Sequence, residues 1–137
     1  MGSGPLMRLL LDTHIWIWLV LEPGRLSRRV ARVLDDAGNQ LWLSPISIWE
    51  LVILTQKGRV ELNEDVVSWT RRTLEQLQLH EAPVTTEVAL ETSGLSLAHS
   101  DPSDRLIAAS ARVFGLTLVT ADEKLIAAPG IEVLANG

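Results

Sequence analysis

The sequence predicts an α/β protein, with a mostly parallel central sheet between two layers of helices. Short apolar runs suited to strands buried on both faces, such as 9–11 and 116–119, alternate with longer stretches whose apolar residues recur at helical spacing. The strand-then-helix order repeats, and parallel strands need crossover helices that pack onto both sheet faces. The 137 residues, 47% apolar and 21% charged, suffice for one well-filled core and argue against a disordered tail, a coiled coil or a collagen-like repeat.

Residues 9–11 form the first strand, and after Asp12 the chain turns helix-compatible through Val20. Ser27 caps a second helix whose apolar positions Val30, Val33 and Leu34 keep a helical period, and Gly38 ends it. Its other face carries Arg25, Arg28, Arg29 and Arg32. Residues 41–43 are a second strand, followed by Ser44 as cap and Pro45 as first-turn proline of a helix reaching Lys57 and Gly58. Asn63, with Glu64 and Asp65 placed where the helix dipole favours acids, starts a helix to Leu79. Pro83 and Val84 mark a weak third strand. A small helix runs from Thr86 to Thr92, and another leaves Asp101 and Pro102, carries Leu106 to Ala109 and closes at Gly115. A strand over 116–119, a short helix over 122–127 and an edge strand over 131–134 complete the chain. No internal repeat or linker divides it, so residues 7–137 read as a single domain. Residues 1–6, MGSGPL ahead of a second methionine, read as a cloning remnant with the natural start at Met7.

The chain has no cysteine, which excludes disulfide frameworks, thiolate nucleophiles and Cys-ligated metals and makes the cytoplasm the default compartment. Twelve basic against seventeen acidic residues give a net charge of −5, so any polyanion partner needs a local patch or a bound cation. The most apolar stretch, 9–21, is interrupted by Asp12 and His14 and is too short to span a membrane.

Four acids stand in surroundings wrong for ordinary surface charge: Asp12, Glu50, Asp104 and Asp122. Asp12 and Asp122 each follow an apolar strand, and a parallel sheet gathers such positions at one edge, where open α/β folds bind ligands. Glu50 and Asp104 lie near the starts of helices leaving that edge. Taken singly, the structural reading is strong. Asp101 before Pro102 is most simply a cap, Asp104 then occupies the third helical position of a capping-box variant, and Asp12 and Asp122 are equally readable as caps. Glu50 resists this account. It lies more than a turn inside its helix, between Ile46, Trp49, Ile53 and Leu54, and its nearest helical cation is Lys57 at i+7. Arg8, four residues before Asp12 and on the order of 13 Å away along a strand, does not reach that acid, and Arg105 points to a different helix face from Asp104. Two carboxylates at about 4 Å repel by about 4 kcal/mol at an interior dielectric of roughly 20. A convergent quartet therefore needs protons or metal, and a hard cation such as Mg²⁺ suits an all-oxygen set.

The segments LLLDTHIWIWL at 9–19, SPISIWELVILTQKGRV at 44–60, HSDPSDRLIAASA at 99–111 and LVTADEKL at 118–125 resemble the PIN-domain ribonucleases, in particular VapC-type toxins of bacterial toxin–antitoxin pairs. The resemblance covers nearly the whole chain from Met7, in order and spacing. It implies a three-layer α/β/α PIN-like domain and a metal-dependent endoribonuclease that hydrolyses RNA phosphodiester bonds with Mg²⁺ or Mn²⁺. It also implies a cognate antitoxin occupying the acidic groove and a homodimer. By the same resemblance Asp12, Glu50, Asp104 and Asp122 fall on the family's metal-binding, catalytic acids. The chain departs from the family pattern at Ser100 and Ser103, where a basic or aromatic residue often stands, which bears on how the mouth of the site grips RNA or antitoxin. Two alternatives remain: a PIN-type module that binds RNA or a partner without cutting, and a phospho-acceptor receiver domain, which needs an acidic pair after the first strand where this chain has one Asp.

His14, His80 and His99 are scattered, and no Ser, His and acid combination marks a nucleophile. For His99 a loop hydrogen-bonding role is favoured over substrate contact. Thr13 and Thr120 flank two of the acids, as orienters of metal-bound water or as turn residues. Trp16, Trp18, Trp42, Trp49 and Trp69 lie in apolar segments and read as core or subunit packing rather than base stacking. The arginine face at 25, 28, 29 and 32 reads as solvated, with tracking of a phosphate backbone as its functional alternative, and Arg71 and Arg72 are a lesser version.

Overall fold

The computed structural model describes residues 6–97 and 101–137. The remnant assigned to the first residues therefore lies, apart from Leu6, outside the described residues, as do His99 and Ser100. The strands are β1 (Arg8–Leu11), β2 (Gln40–Leu43), β3 (His80–Glu81), β4 (Thr117–Thr120) and β5 (Val133–Ala135). The helices are α1 (Thr13–Leu21), α2 (Arg28–Asp35), α3 (Pro45–Gln56), α4 (Val66–Gln76), α5 (Thr86–Glu91), α6 (Pro102–Phe114) and α7 (Glu123–Ile126). Short 3-10 turns at Pro23–Arg25 and Thr92–Gly94, which periodicity does not reveal, follow α1 and α5.

Among the described residues the strands form one sheet in the order β3-β2-β1-β4-β5, and every pairing is parallel. The expected parallel sheet is present. β1 lies at its centre, with the chain winding outward through β2 and β3 on one side and through β4 and β5 on the other. That reversal makes a crevice beyond the carboxyl ends of β1 and β4. It also removes the receiver-domain alternative, whose first strand lies between the second and third.

Side-chain alternation along β1 divides the core in two. Leu9 and Leu11 join Ile15, Trp16, Val30, Leu51 and Trp69 on one face. Leu10 meets Val88, Ile107, Ala108, Leu118 and Leu125 on the other. A strand buried on both sides has no polar position to offer, which is why β1 reads as an unbroken leucine run. Trp16 and Trp69 are fully buried, their rings 5.3 Å apart and tilted. Trp49 is 57% exposed, so of its two packing readings the core one is corrected: at this point of α3 the helix faces away from the core.

Caps explain most boundaries. Ser27 and Ser44 accept from the backbone N–H groups of Val30 and Ile46, as expected. The start of α4 moves from Asn63 to Asp65, whose carboxylate accepts from Ser68 N at 2.9 Å. Its end falls at Gln76 rather than Leu79. Gln78 takes a left-handed conformation (φ 52°), and Gln78 N and Leu79 N donate back to Glu75 O and Leu74 O. That is a Schellman closure with glutamine where glycine is usual. Helix α2 stops at Asp35 rather than Gly38, because the Asp36 carboxylate accepts from Gly38 N at 2.8 Å and folds the chain into a turn. The third strand is His80–Glu81, not Pro83–Val84: Ala82 N still donates to Leu43 O at 2.9 Å, and Pro83 has no N–H to extend the ladder. β4 and β5 lie one and two residues later than their apolar runs begin. Gly115, at φ 63°, closes α6 as expected.

No helix among the described residues is long and apolar enough to cross a membrane. Removing the Leu10 side chain opens a cavity between α6 and the sheet, so Leu10→Ala should cost about 3 kcal/mol in urea unfolding. Leu90→Ala, at a position 63% exposed, should stay within about 0.5 kcal/mol of wild type.

Candidate active site

The crevice at the carboxyl ends of β1 and β4 is a cleft of about 460 Å³ lined by Asp12, Glu50, Asp101, Asp104 and Asp122, together with Thr13, His14, Trp18, Arg25 and Ala121. The structure thus brings all four sequence-singled acids into one cleft and adds Asp101.

Asp12 ends β1 and caps α1. Thr13 N donates to its Oδ1 at 2.9 Å, and the Thr120 hydroxyl at the end of β4 donates to its Oδ2 at 2.6 Å. Thr120 also accepts from Asp122 N at 3.0 Å, and Asp122 caps α7 by accepting from Lys124 N at 2.9 Å. The cap readings of Asp12 and Asp122 are therefore right as geometry, and the same side chains line the cleft. Asp101 precedes α6 in extended conformation, yet its side chain makes no cap hydrogen bond. The cap reading holds for its backbone alone. Asp104 stands in the first turn of α6, where the helix dipole favours a carboxylate.

Glu50 is half-buried and has no cation partner among the described residues. Its compensation comes from hydroxyls: Thr13 donates to Oε1, and Ser103 of α6 donates to Oε2 at 3.1 Å. The Thr13 and Ser47 oxygens lie 2.9 Å apart. With the Thr13 proton committed to the carboxylate, Ser47 is the donor of that pair. Thr13 and Thr120 thus spend their protons on carboxylates, which argues against either as an orienter of water. Sequence reasoning missed Ser47 and the bond from Ser103. The available signal was a hydroxyl three residues before a buried acid on one helix, hence on the same face. Arg8 lies over the Trp42 ring and donates to Phe114 O, and Arg105 donates to Leu97 O and Thr92 O, so neither arginine serves the acids.

Electrostatics register the crowding. Burial pushes the Asp12 carboxyl above its usual range, against hydrogen bonds from Thr120 and Thr13 that lower it, and Glu50 adds to the rise. Asp104 is pushed up to about 7, first by burial and then by the charges of Asp12, Asp122, Glu50 and Asp101. Among the described residues no three His, Asp or Glu side chains are placed to hold one metal ion together. Mg²⁺ does not require that. It binds through one or two carboxylates and completes its shell with waters and substrate phosphate oxygens. An all-oxygen cluster in which burial and neighbouring charges disfavour ionisation of one member fits such a cation.

A family model for the PIN domain matches residues 9–131. Ribonuclease VapC22 of Mycobacterium tuberculosis is 36% identical over 119 residues, which is 85% of this chain and 88% of that protein. Among solved structures, VapBC2 from Rickettsia felis bound to a promoter DNA fragment aligns with TM-score 0.72 at 19% identity, over 94% of this chain and 98% of that one. FitAcB from Neisseria gonorrhoeae aligns with TM-score 0.62 at 26% identity, over 93% and 97%. The first of these structural likenesses shows the fold alone.

The Asp104 shift has a consequence for stability. Its folded-state pKa, about 7, lies above the unfolded value of 3.8, so the folded state holds an extra proton between those values. The associated stability is full below about pH 4 and is lost as the pH rises through 7. The shift alone corresponds to about 4 kcal/mol, which partial exposure reduces to about 2 kcal/mol. In chelator, wild type should lose stability from pH 4 to 8, and Asp104→Asn should flatten that slope in melts across the range. An equally steep slope in the variant would remove Asp104 as its source. Thr120→Val, which strips a donor from buried Asp12, should cost about 1–3 kcal/mol.

Proposed function

The chain belongs to the PIN-domain family, and from that premise we propose that it is a Mg²⁺- or Mn²⁺-dependent endoribonuclease, the toxin of a type II toxin–antitoxin pair. The observation that carries the reading is the convergence of Asp12, Glu50, Asp104 and Asp122 in the switch-point cleft, where burial first and then the neighbouring acids raise the Asp104 carboxyl. The 36% identity to a protein named a VapC ribonuclease supports the substrate class. A homodimer with an antitoxin over the acidic groove is part of the same proposal.

Asp12, Glu50, Asp104 and Asp122 are the acids from which the one or two carboxylates holding the cation would come, with water and substrate phosphate oxygens completing its shell. When bound, a divalent ion supplies an activated water and neutralises charge on the scissile phosphate and the departing oxygen. Thr120 fixes the Asp12 carboxylate from one side and Thr13 N from the other, so its orientation is set before any ligand arrives. Ser103 and Thr13 do the same for Glu50. Asp104 stands in the first turn of α6, and any proton it carries must be released when a cation takes its place. The net acidity of the chain is no obstacle to a polyanionic substrate, since the cation provides the attraction.

Asp12→Asn keeps the shape and removes the charge, so it should abolish cleavage of single-stranded RNA while the circular dichroism spectrum stays native. Added Mn²⁺ should raise the wild-type melting temperature, by the equivalent of about 2.7 kcal/mol at a hundredfold excess over its dissociation constant, and the rise should shrink in Asp104→Asn. RNA binding without any cleavage in Mg²⁺ or Mn²⁺ would instead make the protein a non-cleaving binding module.

A further inference from the structure

The cleft presents a charge problem for an RNA substrate. Five carboxylates line it, and the sole Arg or Lys among its lining residues is Arg25. Arg25 arrives there because α1 ends at Leu21, with Glu22 as its cap, and the chain makes a 3-10 turn over Pro23–Arg25. Its guanidinium carbon lies 4.2 Å from the Trp18 ring centroid, a cation–π contact on an exposed lip. Its one ion pair among the described residues, with Glu22 at 3.9 Å, is exposed and worth little. The backbone beneath is anchored: Asn136, just past β5, donates to Arg25 O at 3.0 Å and accepts from Ser27 N at 2.6 Å. The planar guanidinium therefore sits on a flat support, with its N–H donors unspent on hydrogen bonds among the described residues. That is how a bidentate phosphate contact is prepared.

The surface behind Arg25 continues the pattern. Arg29 donates to Ala135 O at 3.2 Å and is committed to the fold. Arg28 and Arg32, one turn apart on α2, are exposed and have no ion pair among the described residues. Arg72 in α4, by contrast, pairs with Glu64 at 2.7 Å.

We propose that Arg25, supported on Trp18, is the phosphate clamp of the cleft: single-stranded RNA crosses this lip, with Arg25 gripping a phosphate that flanks the one cut, and leaves along Arg28 and Arg32. The inference rests on the ribonuclease reading and adds to it the residue that binds substrate without touching the cation. A phosphate is drawn to this exposed guanidinium, so the lip is assigned to RNA.

The test uses the full chain and a fluorescein-labelled, mixed-sequence single-stranded RNA of about 20 nucleotides, a length chosen to span more than one phosphate-binding site. Arg25→Gln should weaken RNA binding about tenfold and lower the log–log salt slope by about 0.7. The loss should appear in KM more than in turnover at saturating RNA. The Mn²⁺-induced rise in melting temperature should survive, since the cation is held elsewhere. Trp18→Leu should reproduce part of the binding loss and Trp18→Phe should restore it, a rescue that a packing role alone would not give. The Arg28→Gln/Arg32→Gln double variant should lower the slope further. If wild type binds and cuts RNA but Arg25→Gln leaves affinity and slope unchanged, the clamp is wrong and the ribonuclease reading stands. If Arg25→Gln loses antitoxin binding and keeps RNA binding, the lip belongs to the protein partner and the clamp is overturned. If wild type neither binds nor cuts the RNA, the ribonuclease reading itself fails.

Discussion

The hydroxyl of Thr120 donates to Asp12 across the gap between the two central strands, and the rest of the cleft is organised around that 2.6 Å bond. It joins the carboxyl end of β4 to that of β1, where the chain reverses its winding direction. Asp122 is placed through its backbone N–H on the same hydroxyl, and Asp12 in turn starts α1 by accepting from Thr13 N. Thr13 then reaches Glu50, and Ser103 brings α6 to the same carboxylate. Each of these hydroxyls is neutral. The acids are positioned without being neutralised, so their mutual repulsion is retained as a capacity to take up a proton or a cation.

That choice separates this site from an ordinary buried ion pair. A buried carboxylate matched to an arginine is satisfied at a fixed cost and has no further demand. Here Arg8 and Arg105 are close in sequence to two of the acids, yet both are turned to backbone carbonyls elsewhere. The cation that does border the cleft, Arg25, stands on its rim over an indole ring. On the proposed reading, attraction for a hard ion in the cleft and for phosphate at its rim would thereby be kept apart.

The sheet makes this arrangement possible because it is buried on both faces. Leu9 and Leu11 face one core and Leu10 the other, so β1 cannot slip by a residue without carrying Asp12 into an apolar layer. The register of a continuous leucine run would otherwise be weakly specified. A single aspartate at its end pins it.

The alternation of apolar runs and helical periods determined the fold class, because burial on both faces of a parallel sheet leaves an unmistakable pattern. Strand ends likewise determined that Asp12 and Asp122 share an edge, and the helix starts at Ser44 and Pro102 carried Glu50 and Asp104 to it. The sequence was less informative wherever a boundary depends on one hydrogen bond. Pro83 ends a ladder that composition places on it, and Gln78 closes a helix that periodicity carries to Leu79. Only the tertiary structure decided what compensates Glu50, because Thr13 and Ser103 reach it from two other helices and their meeting is invisible to any local spacing. It alone also decided that Trp18 supports Arg25, since a 3-10 turn with no periodic signature folds the arginine back over the helix that precedes it. Periodicity reports which face of an element is buried; it carries no information on which side chains from distant elements meet at the edge where those elements end.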